Sequence, residues 1–459
     1  MADHPANRPP VDAEAVDVTD ELMVAARADL AELVSFASVH GSPSHRDACA
    51  GAADWVTAAF AEVGVVCESI VTSDGSSAVI GHRPGPDGSP TVLLYSHHDV
   101  QPAGDEGLWN SPPFTLTDRD GRWFGRGAAD CKGNVVAHLS ALRALAAHPG
   151  LDALGCGIRV VIEGSEEAGG EGLDHLARER PELFAADMIL IADTGNVAVG
   201  APTLTTSLRG VANLKVTVST LASDVHSGQF GGAAPDALAA LIAGLASLRD
   251  ADGNTTIDGL TADQTWSGVP YDPDVFASDA TVLDGVDVIG SGAPADMVWA
   301  RPAVTVIGLD APSTANCAAA IVPTASAVLN LRVPPGIDPT TARDALEAHL
   351  RRAVPWNARV TIDPEAVGAP FAASTDGPGY RALTAAMATA YGAEVAHSGQ
   401  GGSIPLCTVL AEICPEAEIA LLGVEEPRCR IHAPDESVDP DEIRRTALSE
   451  ALFLAAYPS

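Results

Sequence analysis

The chain has 459 residues, of which 46% are hydrophobic, 19% charged and 4% aromatic. This length predicts at least two hydrophobic cores, and the absence of any run of about 20 apolar residues excludes a membrane span. Asp and Glu number 61 against 26 Lys and Arg, so the formal net charge is −35. That charge repels phosphates and anionic lipids, which excludes nucleic acids and membrane surfaces as expected partners.

The ends of the chain and its thiols indicate an intracellular setting. The first sixteen residues are polar and rich in proline, which predicts a loose arm and no secretory signal. Eight cysteines are scattered without a CxxC pair, which is not the pattern of a disulfide scaffold or a zinc finger. We therefore expect a cytoplasmic protein with reduced thiols.

The first third of the chain alternates apolar strands with helices. Strands are predicted at 91–96, 158–164 and 187–193, with a helix at 133–149 between the first two. Continuous apolar strands alternating with helices are typical of a mostly parallel sheet that helices cover on both faces. This part is therefore predicted to be an α/β domain.

A second pattern begins near residue 211 and ends near residue 368. Its order is strand, helix, strand, strand, helix, strand, which is the order of a ferredoxin-like α+β domain. A loop-rich insertion at 251–302 interrupts it, and the α/β pattern resumes near residue 370. We predict a two-part α/β domain at 17–210 and 369–459, interrupted by an α+β domain at 211–368.

Polar side chains follow the first predicted strand of the α/β domain. His97, His98 and Asp99 come directly after this buried strand. A histidine there can bind a metal while the carboxylate orients its other ring nitrogen. A solvated loop histidine is the alternative, and the pattern does not decide which of His97 and His98 points inward.

Two further acidic motifs occupy similar positions. Asp130 lies just before the predicted helix at 133–149, where the alternative is a helix cap. The glycines around it do not have the spacing of a phosphate-binding loop. Glu166 and Glu167 follow the strand at 158–164, and a solvated acidic loop is the alternative there. Two adjacent carboxylates in a pocket are costly without a cation.

Asp193 and His432 complete the set of donors at predicted strand ends. Ligands of open α/β sheets bind where strands end, so five such positions favour a functional site. Two His, two Asp and one Glu suit two divalent ions with a bridging carboxylate, and no cysteine is needed. The remaining glutamate is then available as a general base.

Seven motifs in this order resemble the M20 family of metallopeptidases along nearly the whole chain. They are YSHHDVQP, GRGAADCKG, EGSEEAGGEG, ILIADTGN, DVHSGQFGG, GGSIP and IHAPDES. DVQP, DVHSGQFGG and the insertion at 251–302 look most like the dipeptidase branch, which includes carnosinase-like and cytosolic non-specific dipeptidases. The resemblance implies a hydrolase that cleaves the peptide bond of dipeptides or short peptides with a metal-activated water.

The resemblance also implies a role for each donor. Asp99 would orient the first histidine, Glu166 would be the general base, and a cis peptide would precede Cys131. Metal ligands would be His97, Asp130, Glu167, Asp193 and His432, with Asp130 bridging. Two divalent ions are expected, zinc first, with manganese or cobalt as alternatives.

For the inserted domain the resemblance implies a lid that also forms a homodimer. His226 would reach the partner subunit's active site and polarise the scissile carbonyl. Arg332 would contact the substrate carboxylate, and Gly402 and Ser403 would belong to the substrate-side loop.

Four positions depart from the family pattern. Cys131 replaces a second aspartate, and Asp435 replaces an asparagine. Gly399 and Gln400 replace the Arg-Glu pair of dipeptidase relatives, which leaves the substrate open. The alternatives are an N-acyl amino-acid deacylase that uses the same site and a catalytically silent metal-binding protein. Retention of Glu166 argues against the silent protein, because binding alone needs no base.

Overall fold

A computed structural model describes residues 16–457, so the predicted N-terminal arm lies almost wholly outside the described residues. The internal contacts divide the chain into two compact units. The first contains the residues up to Thr206, Ala373–Ser398 and the residues from Pro405, and the second contains Ser207–Ala372 and Gly399–Ile404. The division predicted from the sequence, into a two-part catalytic domain at 17–210 and 369–459 and a lid domain at 211–368, stays a prediction.

The described residues contain the following strands and helices. The strands are β1 (Val66–Val71), β2 (Ser77–Arg83), β3 (Thr91–His97), β4 (Thr117–Arg119), β5 (Arg122–Phe124), β6 (Gly157–Glu163), β7 (Met188–Ala192), β8 (Thr203–Leu208), β9 (Gly210–Ser219), β10 (Val225–His226), β11 (Ala303–Asp310), β12 (Ala320–Ile321), β13 (Thr324–Val333), β14 (Arg359–Gly368), β15 (Phe371–Ala372), β16 (Ala396–Gln400), β17 (Glu418–Leu422) and β18 (Ser437–Val438). The α-helices are α1 (Asp20–Ser35), α2 (Arg46–Glu62), α3 (Lys132–Ala147), α4 (Glu171–Glu179), α5 (Ser227–Phe230), α6 (Ala237–Ala246), α7 (Pro273–Asp279), α8 (Pro339–Ala353), α9 (Pro378–Tyr391), α10 (Pro405–Ile413) and α11 (Pro440–Ala456).

The main sheet has nine strands in the order β1-β2-β6-β3-β7-β17-β8-β15, with β16 paired to β8. The four central strands β6, β3, β7 and β17 run parallel to one another. β1, β2, β8 and β15 pair antiparallel, so the sheet as a whole is mixed. The predicted α/β fold is confirmed, and its parallel character belongs to the centre of the sheet.

Helices cover this sheet because its central strands are buried along their length. Every residue of β7 is buried, which requires apolar cover on both faces. Helix α3 packs on β3 and against α1 and α11, and α9 packs against α11 and β17. Within residues 16–457 no helix is both long enough and apolar enough to cross a membrane.

The second unit contains the predicted ferredoxin-like domain. Its antiparallel sheet has the order β11-β13-β9-β14. The four strands of this sheet and the two longest helices follow one another in the chain as β9-α6-β11-β13-α8-β14, with the short elements β10, α5, α7 and β12 between them. Buried residues alternate along β9 and β13 and form one core with α6 and α8. The predicted α+β insertion is therefore confirmed.

The turn between β1 and β2 fixes the loop that follows β6. The Asp74 carboxylate accepts hydrogen bonds from Thr72 Oγ1 at 2.6 Å, Ser165 Oγ at 2.8 Å and Gly172 N at 3.2 Å. It also accepts from Ser76 N at 2.9 Å. Burial opposes ionisation, but these hydrogen bonds outweigh it and hold the pKa of Asp74 well below its usual range.

We expect Asp74→Asn to lower the melting temperature by about 2–4 °C at neutral pH. An aspartate of an unfolded chain has a pKa of about 4. Because folding lowers this pKa, Asp74 stabilises the native state above that pH, and the contribution is lost as the pH falls. The difference between variant and wild type should therefore shrink below about pH 4, measured as melting temperature from pH 3 to pH 7.

The matched control is Asp87→Asn, because Asp87 is exposed and its carboxylate has no hydrogen-bond partner within residues 16–457. A difference for Asp74→Asn that stays constant across the pH range would show that its charge is not involved.

Candidate active site

The four parallel strands deliver polar side chains to one edge of the main sheet. His97 is the last residue of β3, and Asp193 follows β7 directly. Glu166 and Glu167 lie in a single helical turn after β6, and His432 lies in the loop after β17. Parallel strands end on the same side of a sheet, so these residues meet although they are far apart in the sequence.

His97 faces two carboxylates with one ring nitrogen. Its Nε2 lies 3.0 Å from Asp130 Oδ1 and 3.2 Å from Asp193 Oδ1. Its Nδ1 lies 3.1 Å from the carbonyl oxygen of Asp99 and 3.3 Å from Asp99 Oδ1, which are both acceptors. Nδ1 therefore carries the proton, and in the neutral ring Nε2 turns a lone pair toward two carboxylate oxygens.

His432 has the same arrangement on the other side of Asp130. Its Nε2 lies 2.9 Å from Asp130 Oδ2 and 3.1 Å from Glu167 Oε2. These hydrogen bonds, to Asp130 first and then to Glu167, raise the pKa of His432 to about 10. Asp130 thus contributes one oxygen to each histidine.

Glu166 lies near His97 but makes no close contact with either histidine. Its Oε2 is 4.0 Å from His97 Nε2. Burial and then the charge of Asp193 raise the pKa of Glu166 well above its usual value. A carboxylate whose pKa is raised accepts a proton more readily than an ordinary one.

The donors fit a divalent metal ion. In the described chain, Asp130, Glu166, Glu167 and Asp193 form ion pairs with histidine alone. Burial raises the pKa of Asp193 to about 6 and also raises that of Glu166, so these two carboxylates resist ionising. At Asp130, burial is outweighed by hydrogen bonds with His432 and then His97, which lower its pKa. Ligand atoms lie within 4.8 Å of one another in each of two groups, His97–Cys131–Asp193 and Asp130–Glu167–His432. A cation would neutralise this excess of negative charge.

Asp99 connects His97 to the loop that carries Glu166 and Glu167. Besides its contacts to His97, its Oδ1 accepts a hydrogen bond from Glu166 N at 3.2 Å and its Oδ2 one from Glu167 N at 3.1 Å. The side chain is fully buried. One carboxylate thus orients the imidazole and the backbone of both glutamates.

Sequence reasoning missed two residues that orient the donors. The buried Glu436 accepts from Arg126 Nη1 at 2.7 Å and from the backbone N–H of Asp130 at 3.1 Å. Gln101 Nε2 donates to Glu167 Oε2 at 2.9 Å. Both residues stand in the motifs IHAPDES and DVQP, but nothing in the spacing of those motifs indicated which residue they contact.

Cys131 lies closer to the donors than the sequence suggested. Its Sγ belongs to the group with His97 and Asp193, although the sequence analysis assigned no cysteine to the site. The thiol also donates to the carbonyl oxygen of Ala192 at 3.0 Å. The peptide bond between Asp130 and Cys131 is cis, as the resemblance implied.

The other predicted site residues belong to the second unit. His226 is exposed at the end of β10, and its Nδ1 accepts the Gly228 N–H at 3.1 Å, which leaves the proton of the neutral ring on Nε2. Arg332 is half-buried on β13, and its Nε donates to Asn330 Oδ1 at 3.1 Å. Gly402 and Ser403 follow β16 in a half-buried loop.

The structure gives a physical reason for Gly399, one of the departures from the family pattern. A Cβ at this position would lie 2.6 Å from the Cβ of Trp299. Trp299 is buried, with its ring 5.4 Å from that of Trp266 and stacked at 5.4 Å on Tyr271. An arginine side chain at 399 would therefore displace an aromatic cluster of the insertion.

Solved structures share this fold over nearly the whole chain. Human carnosine dipeptidase 1 matches with a TM-score of 0.79 and 24% identity, covering 98% of this chain and 99% of that one. The dipeptidase Dug1p from Saccharomyces cerevisiae matches with a TM-score of 0.79 and 20% identity, covering 98% and 99%. At these identities the likeness shows the fold.

Comparison with known sequences shows the family as well as the fold. The model of peptidase family M20/M25/M40 matches residues 93–455. A cysteinylglycine-S-conjugate dipeptidase from Corynebacterium striatum is 48% identical over 94% of each chain, and a Cys-Gly metallodipeptidase from Schizosaccharomyces pombe is 28% identical over 90% of this chain and 91% of its own. These matches confirm the resemblance carried by the motifs. The chain belongs to the M20/M25/M40 peptidase family and is a metallopeptidase of the dipeptidase type.

Proposed function

We propose that this protein hydrolyses the peptide bond of cysteinylglycine dipeptides, including those substituted on sulfur. The observation that carries the proposal is the position of the Asp130 carboxylate between two histidines. Its oxygens lie 3.0 Å from His97 Nε2 and 2.9 Å from His432 Nε2, and Glu166 stands nearby without belonging to either group of ligand atoms. The substrate class is taken from the relative in Corynebacterium striatum, which is 48% identical.

In this proposal two ions occupy the site. His97 and Asp193 would hold one, Glu167 and His432 the other, and Asp130 would bind both. Divalent ions in such a site polarise the scissile carbonyl and lower the pKa of water. Zinc is the proposed metal, with manganese or cobalt as alternatives, because His and carboxylate ligands suit all three.

Glu166 would act as the general base of the reaction. It would take a proton from the attacking water and deliver it to the leaving amine. Its raised pKa supports this role, because a carboxylate of ordinary pKa would take the proton from water less readily. Asp99 would keep His97 and the glutamate loop in position through its hydrogen bonds.

The inserted domain would act as a lid and as the surface of a homodimer. β11 is an edge strand of its sheet, and Val306, Ile307 and Leu309 on it are 44%, 58% and 53% exposed. An apolar edge strand is a template for pairing with another chain. The exposed imidazole of His226 would then polarise the substrate carbonyl in the partner subunit's site, and Arg332, Gly402 and Ser403 would contact the substrate. The cytoplasmic location stays a prediction from the sequence.

The first test is a substrate panel assayed with the zinc- or manganese-loaded protein. The panel is needed because a deacylase and a dipeptidase can share these metal ligands. We expect hydrolysis of cysteinylglycine and S-benzyl-cysteinylglycine, and little or none of N-acetyl and N-succinyl amino acids. Cleavage confined to the acylated amino acids would identify a deacylase and overturn the proposal. Binding of two ions without hydrolysis of any member of the panel would support the silent metal-binding alternative.

The second test separates the two adjacent glutamates. Glu166→Gln should keep two ions per chain and lose about 10²- to 10⁴-fold in kcat, because it removes a base and leaves the ligands intact. Glu167→Ala should lose bound metal, measured by elemental analysis after dialysis.

The control for both variants is Glu171→Gln, an exposed glutamate at the start of α4. Its metal content and kcat should equal those of the wild type. Metal loss in Glu166→Gln with retention in Glu167→Ala would mean that the two roles are exchanged.

The third test asks whether His226 acts in trans. His226→Ala should lose about 10²- to 10³-fold in kcat with normal metal content, as expected when a carbonyl-polarising donor is removed. Mixing it with Glu166→Gln should restore activity to about one quarter of the wild type, because half of the dimers are hybrids and each has one complete site.

His175→Ala on α4 is the control for loss of an exposed histidine, since the His175 side chain is 56% exposed. Once mass spectrometry has demonstrated subunit exchange, a mixture that stays inactive would contradict action in trans.

A further inference from the structure

Arg209 is a buried cation without an anion. Its residue is 8% exposed, and within residues 16–457 no carboxylate lies within 4 Å of its guanidinium. Nη1 is 3.5 Å from the carbonyl oxygens of Met297 and Arg301, and Nε has no hydrogen-bond partner. Buried charges in proteins are normally paired, so an unpaired buried guanidinium indicates a missing partner.

A second arginine lies nearby and makes the lack of an anion more costly. Arg332 on β13 pairs with Val211 of β9, two residues after Arg209, so the two arginines are diagonal neighbours. Burial, and then the positive charge of Arg332, lower the pKa of Arg209 to about 10. Arg332 is itself half-buried, and its guanidinium forms no ion pair within the described residues. The chain has 61 Asp and Glu residues against 26 Lys and Arg residues, so a shortage of carboxylates does not explain why these two arginines lack an ion pair.

Gly401 leaves the guanidinium of Arg209 open on one side. A Cβ at position 401 would lie 2.8 Å from Arg209 Nη2, and this nitrogen makes no hydrogen bond in the described part of the chain. The backbone N–H of Arg209 donates to the carbonyl oxygen of Gln400 at 3.2 Å, which holds the loop against it. The loop then continues into Gly402 and Ser403.

We infer that Arg209 and Arg332 together bind a carboxylate, namely the C-terminal carboxylate of the substrate. This inference rests on the proposed function, which supplies a dipeptide. A planar guanidinium matches a planar carboxylate in two parallel hydrogen bonds, and a second guanidinium can take its remaining lone pairs. Arg209 is then a specificity residue in addition to Arg332, and it selects substrates with a free C-terminus.

The test compares a dipeptide with its C-terminal amide. With S-benzyl-cysteinylglycine, Arg209→Met should lower kcat/KM by about 10- to 100-fold, mainly through KM, as expected for a lost charge-assisted hydrogen bond. With S-benzyl-cysteinylglycinamide the same variant should change kcat/KM by less than about 3-fold, because the amide has no charge to lose. Arg209→Lys should recover part of the loss for the free acid alone.

Two further variants separate binding from folding. Gly401→Ala keeps Arg209 but covers it, so it should also weaken the free acid more than the amide. Arg359→Met removes an exposed arginine of β14, in the sheet that contains Arg332, and should change kcat/KM for neither substrate. Equal losses on acid and amide for Arg209→Met would show a structural role and overturn the inference.

A binding measurement keeps this inference separate from the proposed function. In a metal-loaded Glu166→Gln background, calorimetry should show S-benzyl-cysteinylglycine binding at least about 10-fold more weakly when Arg209→Met is added. Unchanged affinity would overturn the carboxylate site even if the wild type hydrolyses dipeptides. Competition by inorganic phosphate at lower concentration than glycine, lost in Arg209→Met, would assign the site to phosphate and would also overturn the inference.

Discussion

Crowding of negative charge at one edge of the main sheet is the constraint on which the site depends. Asp130, Glu166, Glu167 and Asp193 share this space with only two imidazoles. Carboxylates this close resist ionising together unless a cation lies among them. The fold holds them there through buried hydrogen bonds to the backbone, as Asp99 does for the glutamate loop and Glu436 for Asp130. Such an excess of negative charge suits a divalent cation.

The donors at this edge of the sheet could be predicted from the sequence because the patterns that indicate them are local. β3, β6 and β7 are continuous apolar runs, and the donors follow each run within a few residues. The ferredoxin-like order was readable for the same reason, since β9 and β13 alternate buried and half-buried residues with a period of two. Parallel pairing then brings together residues that are distant in sequence, which general topology rules anticipate.

What the sequence could not predict depends on contacts between distant loops. Glu436 meets Asp130 across 306 residues of chain, and Asp74 meets Ser165 across 91. No periodicity encodes such contacts. β1 was missed because it is mostly exposed and lacks an apolar pattern. Trp299 was read only as part of a loop-rich insertion, so its packing against Gly399 became visible in the structure alone.

The two compact units carry opposite local charge in a strongly acidic chain. One gathers carboxylates without arginine at its candidate metal site, and the other keeps Arg209 and Arg332 free of carboxylates within the described residues. A dipeptide is itself charged at both ends, with an amine at one end and a carboxylate at the other. The arginine pair of the second unit suits the carboxylate end of such a molecule, as the inferred carboxylate site requires. An N-acylated amino acid also has a free carboxylate, so the arginine pair alone does not distinguish it from a dipeptide. The two sets of residues would therefore have different roles in the proposed reaction: the carboxylate set would hold the metal ions, and the arginine pair would bind the carboxylate of the substrate.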